Sequence, residues 1–160
     1  MSNNNELLAE IQAQYSRETQ IIGEDKQQFL LVEPEYLLKI LGILKNYEAY
    51  QFDMLRNLTA VDYLEYMEMV YHLYSLPLRH SITIKARCAA ENSQMPSVTS
   101  IWPSANFQER EVYDLLGITF TGHPDLRRIL MPAEFTEHPL RKSFKAGAGQ
   151  LPGGGGNHSC

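Results

Sequence analysis

The residues whose types could do chemistry gather between Asn106 and Lys142. His123, Asp125 and His138 are ligand types for a divalent metal, but their spacing fits no usual zinc pattern and no cysteine lies near them. Glu109 and Glu111 could form an acid/base pair, yet two residues apart on a helix they point in different directions. The glycines at 117–122 and 153–156 come without a P-loop lysine and without the GxGxxG order that follows a nucleotide-binding strand. No Ser-His-Asp or Cys-His arrangement can be drawn. The stretch suits structure and contact better than turnover. A stand-alone metal-dependent enzyme using His123, Asp125 and His138 is the rival from another class.

The elements that position these residues follow from local pattern. A short helix is predicted from Asn106, its cap, to Gly117, its stop, with Glu109 able to reach back to the cap. Leu115, Val112, Leu116 and Tyr113 form one apolar arc. Glu111, Asp114 and Arg110 fall opposite, with Arg110 and Asp114 paired four apart. Glu109 lies inside the apolar arc, where a carboxylate must be bonded or paired. Either the capping box satisfies it, or it makes a buried ion pair with Arg127 or Arg128.

Ile118–Thr121 is β-branched and reads as a brief strand. Gly122-His123-Pro124-Asp125 then breaks regular structure, because Gly permits positive φ and Pro keeps its predecessor extended. Arg127-Arg128 follows, and a second segment, His138-Pro139-Leu140-Arg141-Lys142, comes soon after. Two stiff, basic, extended segments with outward arginines suit docking along another protein, since little ordering entropy remains to be lost. Arg127, Arg128, Arg141 and Lys142 are the expected partner contacts, with Glu109 as their internal organiser.

Upstream, Glu6–Arg17 reads as an amphipathic helix with Leu7, Leu8, Ile11 and Tyr15 on one side. Gly23-Glu24-Asp25 turns between strands at Thr19–Ile22 and Gln28–Val32. Pro34 opens a helix whose apolar face is Leu37, Leu38, Ile40, Leu41 and Leu44. Three strands follow. The first is Phe52–Asp62; the second aligns Met67, Met69, Tyr71 and Leu73; the third alternates Ile82, Ile84, Ala86 and Cys88 inward against Arg79, Ser81, Thr83, Lys85 and Arg87 outward. Leu76-Pro77-Leu78 makes the last two a hairpin. The outward face meets solvent or a partner, and alternation alone favours solvent. Ala89–Pro96 is a polar connector, and Trp102 is a core anchor where the chain leaves the sheet. The expected fold is α+β: N-terminal helices on a mixed, mostly antiparallel sheet, then a short signature helix and an extended Pro/Arg-rich arm.

A chain of 160 residues suits one domain with a real core, expected at 1–144, followed by a flexible glycine-rich tail at 145–160. A net charge of −5 argues against nucleic acid or an anionic membrane as direct partner. Two cysteines, Cys88 and Cys160, suggest neither a disulfide framework nor a cluster site. No run of about 18 apolar residues exists to span a bilayer, and the N-terminus lacks signal-peptide regions, so a cytoplasmic location is expected.

The charged stretch resembles the signature of the NuoC family, which supplies one subunit of bacterial NADH:quinone oxidoreductase, respiratory complex I. The matching residues are Glu109-Arg110-Glu111, Tyr113-Asp114-Leu115, Gly117-Ile118, Phe120, Gly122 to Leu130, and His138 to Lys142. Phe52–Leu55, Leu58–Tyr63, Val70–Leu76 and Pro96–Pro103 extend the resemblance to about residues 28–142. It implies a non-catalytic structural subunit of the peripheral arm, on the cytoplasmic side of the membrane and joined to it only through the complex. It implies packing on the other peripheral-arm subunits, above all the one that helps form the quinone site. Flavin and iron–sulfur clusters would lie in those partners, with no cofactor or metal in this chain. A membrane-bound hydrogenase or ferredoxin-linked NDH-type complex is the alternative home. After Lys142 the family usually has Asp and an aromatic-Pro pair; here it is Ser143-Phe144-Lys145.

Overall fold

The computed structural model describes residues 4–132 and 134–143. Helix α1 (Asn4–Gln14) precedes strands β1 (Thr19–Ile22) and β2 (Phe29–Val32), which pair antiparallel. Pro34 opens a single 3₁₀ turn that runs into helix α2 (Leu37–Asn46). Proline suits that place because its missing N–H would have no helical partner there. Strands β3 (Met54–Asp62), β4 (Tyr66–Ser75) and β5 (His80–Ala89) then form an antiparallel meander. The five-stranded sheet has the order β1-β2-β5-β4-β3, with β2 and β5 parallel. The fold is α+β with a mixed, mostly antiparallel sheet, as the pattern predicts.

Register decides which residues share a face. Met67, Met69, Tyr71 and Leu73 of β4 stand beside Cys88, Ala86, Ile84 and Ile82 of β5. This face meets Leu7, Leu8 and Ile11 of α1 and Leu37, Ile40, Leu41 and Leu44 of α2 in one core. Leu38 was expected on the buried face of α2 but is exposed, because the apolar stripe is wider than the surface the sheet offers. Trp102 is buried, and its indole N–H donates to the Phe52 carbonyl at 3.2 Å. On the other face, Glu68 is almost fully covered and bridges Lys85 at 3.1 Å and Arg87 at 2.9 Å.

The polar connector holds a strand that its composition hides. Strand β6 (Gln94–Pro96) pairs in parallel with β7 (Thr119–Thr121). Three residues are too few to show a period, so only the fold reveals it. Between them lies helix α3 (Ala105–Leu116). It packs along β3, where the Gln108 side-chain oxygen accepts the Leu58 N–H of the sheet edge at 2.6 Å.

Candidate partner-binding site

Helix α3 starts one residue before the predicted cap. Ser104 precedes it with no side-chain cap bond, and the first amides go to a backbone turn: Ala105 donates to Trp102 and Asn106 to Pro103. The expected Asn106–Glu109 capping box is therefore absent. Glu109 instead faces the core, where its carboxylate accepts the Val98 N–H and the Ser97 hydroxyl, each at 2.7 Å. It pairs with neither Arg127 nor Arg128. The imidazole of His123 lies beside it, with Nε2 3.9 Å from the carboxylate. Burial pushes the Glu109 carboxyl above the ordinary range, and the Val98 and Ser97 donors and His123 offset only part of that.

The helical pattern puts Asp114 on the solvent side, paired with Arg110. The helical angle is right, but the arm covers that side, and Asp114 is fully buried. One carboxylate oxygen accepts the backbone N–H groups of Ile129, Leu130 and Met131 at 3.2, 2.6 and 2.9 Å. The other accepts from the Arg128 guanidinium at 2.8 Å. Burial works to raise this carboxyl, but the three amides and Arg128 outweigh it and hold it below the usual value. Arg110 donates instead to the Arg127 carbonyl at 3.4 Å.

The last turn of α3 explains the rest. An α-helix ends with four carbonyls that lack intrahelical partners, at the negative end of its dipole. Here the Gly117 N–H takes Tyr113, Arg128 and His138 Nδ1 take Asp114, the Leu140 N–H takes Leu115, and Arg141 Nε takes Leu116. The two basic segments thus cap one helix terminus. Arg141 also donates to the Ala90 carbonyl at 2.6 Å and the Ser93 hydroxyl at 3.0 Å. Arg128 donates to the Glu137 carbonyl at 2.9 Å. These two arginines point inward, not outward as the sequence suggests. Gly117 has φ +77°, and a Cβ there would stand 2.7 Å from the His138 ring. Both conformation and space call for glycine.

The remaining signature residues are exposed or committed to backbone. Arg127 is 71% exposed and pairs at 3.0 Å with Asp125. His123 accepts the Asp125 N–H at 2.9 Å through Nδ1 and donates from Nε2 to the Asn106 carbonyl at 3.1 Å. Pro124 is exposed, while Glu111 and Pro139 are half-buried. Among the described residues, no three of His, Cys, Asp and Glu come together to hold a metal ion, so the structure does not gather His123, Asp125 and His138. Burial raises the Cys88 thiol. Cys160 and the expected tail at 145–160 lie outside the described residues.

One anchor escaped the sequence reading. Asp62, at the end of β3, accepts the Leu64 N–H through Oδ1 and the Lys142 N–H through Oδ2, each at 2.8 Å. The signal was present. Alternation along β3 puts Asp62 on the face of Leu58, and a carboxylate there needs a partner.

A small α+β unit whose charged motif braces its own backbone, around an arm laid along one helix, has the build of a scaffold subunit. The chain belongs to the family described as Respiratory-chain NADH dehydrogenase, 30 Kd subunit, whose profile matches residues 30–150. It is 48% identical over 118 residues to the NuoC-type NADH-quinone oxidoreductase subunit of Moorella thermoacetica, covering 72% of this chain and 78% of that one. It is 38% identical over 158 residues to the counterpart subunit of Trichlorobacter lovleyi, covering 95% and 96%. Among solved structures, the trypsin-resistant fragment of Nqo5 matches with TM-score 0.63 and 32% identity over 77% of this chain and 98% of that one. A chain of an archaeal membrane-bound sulfane sulfur reductase, a respiratory membrane complex, matches with TM-score 0.75 and 25% identity over 92% and 88%. No helix among the described residues is long and apolar enough to cross a membrane.

Proposed function

We propose that this chain is the non-catalytic NuoC-type subunit of a proton-translocating NADH:quinone oxidoreductase. It sits in the peripheral arm on the cytoplasmic side of the membrane and packs on the subunit that helps form the quinone site. Flavin and iron–sulfur clusters belong to its partners, and its own task is positional. Electron tunnelling weakens steeply with distance, so a rigid spacer that holds redox subunits in register sets the rate without carrying an electron.

The observation that carries this is the preformed arm. Four inward side chains, Asp114, Arg128, His138 and Arg141, fix its backbone on α3. Arg127 and Lys142 are left on the outside. An arm ordered before it meets a partner loses little entropy on docking. Arg127→Ala tests this: the purified chain should fold unchanged, while co-purification of the peripheral-arm subunits should weaken. Undiminished co-purification would count against it.

The likeness to the archaeal reductase chain supports a second reading, the equivalent subunit of a membrane-bound hydrogenase or ferredoxin-linked NDH-type complex. The co-purifying electron-input subunits would separate the two.

A further inference from the structure

The turn between β3 and β4 has features that folding alone does not explain. Its tip, Tyr63-Leu64-Glu65, joins two long strands. Leu64 has φ +69°, a left-handed backbone that a γ-branched residue rarely adopts. It is 62% exposed, and Val61 and Tyr63 beside it are exposed too. A glycine or asparagine would sit at such a tip without strain and without offering apolar surface to water.

The tip is held firmly. Asp62 accepts the Leu64 N–H at 2.8 Å, Tyr63 donates to the Tyr66 carbonyl at 3.0 Å, and the Tyr63 and Tyr66 rings stack at 5.1 Å. The Arg87 guanidinium lies over Tyr66 at 4.8 Å. Strain retained in a well-braced segment points to use, and a rigid aromatic beside an exposed aliphatic is the composition of an interface anchor.

The tip is also continuous with the arm. The same Asp62 carboxylate that fixes Leu64 accepts the Lys142 N–H through its second oxygen. The last described residues of the arm therefore lie beside the hairpin. One buried side chain sets the position of both the tip and the end of the basic arm.

We propose that Val61, Tyr63 and Leu64 form a second docking point for the protein subunit that the arm grips, with Leu64 entering an apolar pocket of that partner. This rests on the assembly reading above and extends its contact surface across Asp62. A protein is favoured over a lipid surface because the exposed Glu65 sits at the apolar tip and the chain carries net charge −5.

The test uses the full chain, tagged and expressed with the complex, in three forms: wild type, Leu64→Gly and Leu76→Ser. Leu64→Gly removes the side chain and relieves the backbone, so the purified chain should melt no lower than wild type. Co-purified redox subunits should drop roughly tenfold, the scale of one lost anchor side chain. Leu76 is equally exposed, at 62%, but sits at the β4–β5 turn; its serine variant should assemble normally. A photoreactive phenylalanine analogue in place of Leu64 should crosslink to a neighbouring subunit. Wild-type capture with undiminished capture by Leu64→Gly overturns this inference alone. Crosslinking to a second copy or to residues 144–160 overturns it too, as does Leu64-dependent binding of the purified chain to phosphatidylglycerol vesicles. No capture even by wild type sinks the assembly reading and this inference with it.

Discussion

Arg128 and Asp114 meet at 2.8 Å, fourteen residues apart, and through them the arm's path is set on the last turn of α3. The pair is almost wholly out of water, with side-chain exposures of 9% and 0%. Such pairs are sensitive to loss of one partner more than they are stabilising in themselves, because the remaining charge stays buried. Asp114 has a further duty to three successive amides, which a neutral side chain of its shape can meet only by turning its NH₂ group toward Arg128.

Asp114→Asn should therefore cost about 3 kcal/mol and release the arm. The new NH₂ group would face either Arg128 or all three amides, and Arg128 would lose its counter-charge in both cases. Amide exchange should read this as faster exchange at Ile129, Leu130 and Met131, with the β3–β5 amides staying protected. Acid acts on the same contact. The folded-state pKa of Asp114 is lowered, so its stabilisation is complete above the ordinary value and is lost as pH falls through the lowered one. Wild-type arm protection should fade below about pH 4, and the Asn variant should lack that dependence.

Gly117 and His138 make a steric prediction. Gly117→Ala forces a Cβ into the left-handed region and within 2.7 Å of the imidazole, so backbone or ring must yield. A cost of about 1–3 kcal/mol is expected, the strain of the φ angle plus a disturbed cap. It should appear as a lower urea midpoint. The same substitution should cost less in a His138→Ala background than in wild type, because the clash is gone while the φ strain remains.

Much of this fold was legible because it rests on period and punctuation. Strand β5 alternates cleanly, and Pro34 and Gly117 mark a helix start and a helix end. The site was legible in its residues but not in its pairings. Asp114 lies at the solvent side of an isolated helix, and only a segment arriving from residues 127–131 turns that side into an interior. The same arrival turns Arg128 and Arg141 inward. Long-range partners of charged residues leave no local signature, whereas the burial demand of Asp62 and Glu109 did, since alternation and helical angle put both carboxylates among apolar neighbours.

Arg141 and Arg127 separate brace from grip. Arg141 donates to three acceptors on α3 and the β5–β6 connection, so Arg141→Ala should destabilise the purified chain by about 3 kcal/mol, the scale of a few lost hydrogen bonds from a charged donor. At this chain length that is a fall of roughly 6–12 °C in melting temperature. Arg127 is exposed and pairs with the equally exposed Asp125, a contact worth little in water. Arg127→Ala should leave the melting temperature within about 1 °C, so any effect on assembly would belong to the partner surface.

Glu109 predicts a pH response of opposite sign to that of Asp114. Its folded-state pKa is raised by burial, so its contribution is complete below the ordinary carboxylate value and is lost as pH climbs through the raised one. The groups facing it are the Ser97 hydroxyl, the Val98 N–H, His123 and, more distantly, Tyr71, whose hydroxyl is buried with no hydrogen-bond partner among the described residues. Burial first, then the Glu109 charge, pushes that phenol well above its usual range. Glu109→Gln keeps the shape and an oxygen for the Val98 N–H, and its NH₂ can donate to a reoriented Ser97 hydroxyl. The variant should be at least as stable as wild type at pH 8. It should lose the decline in urea midpoint that wild type shows between pH 5 and pH 8. A steeper decline in the variant would mean that the carboxylate is stabilised where it lies and that some other buried group governs this limb of the profile.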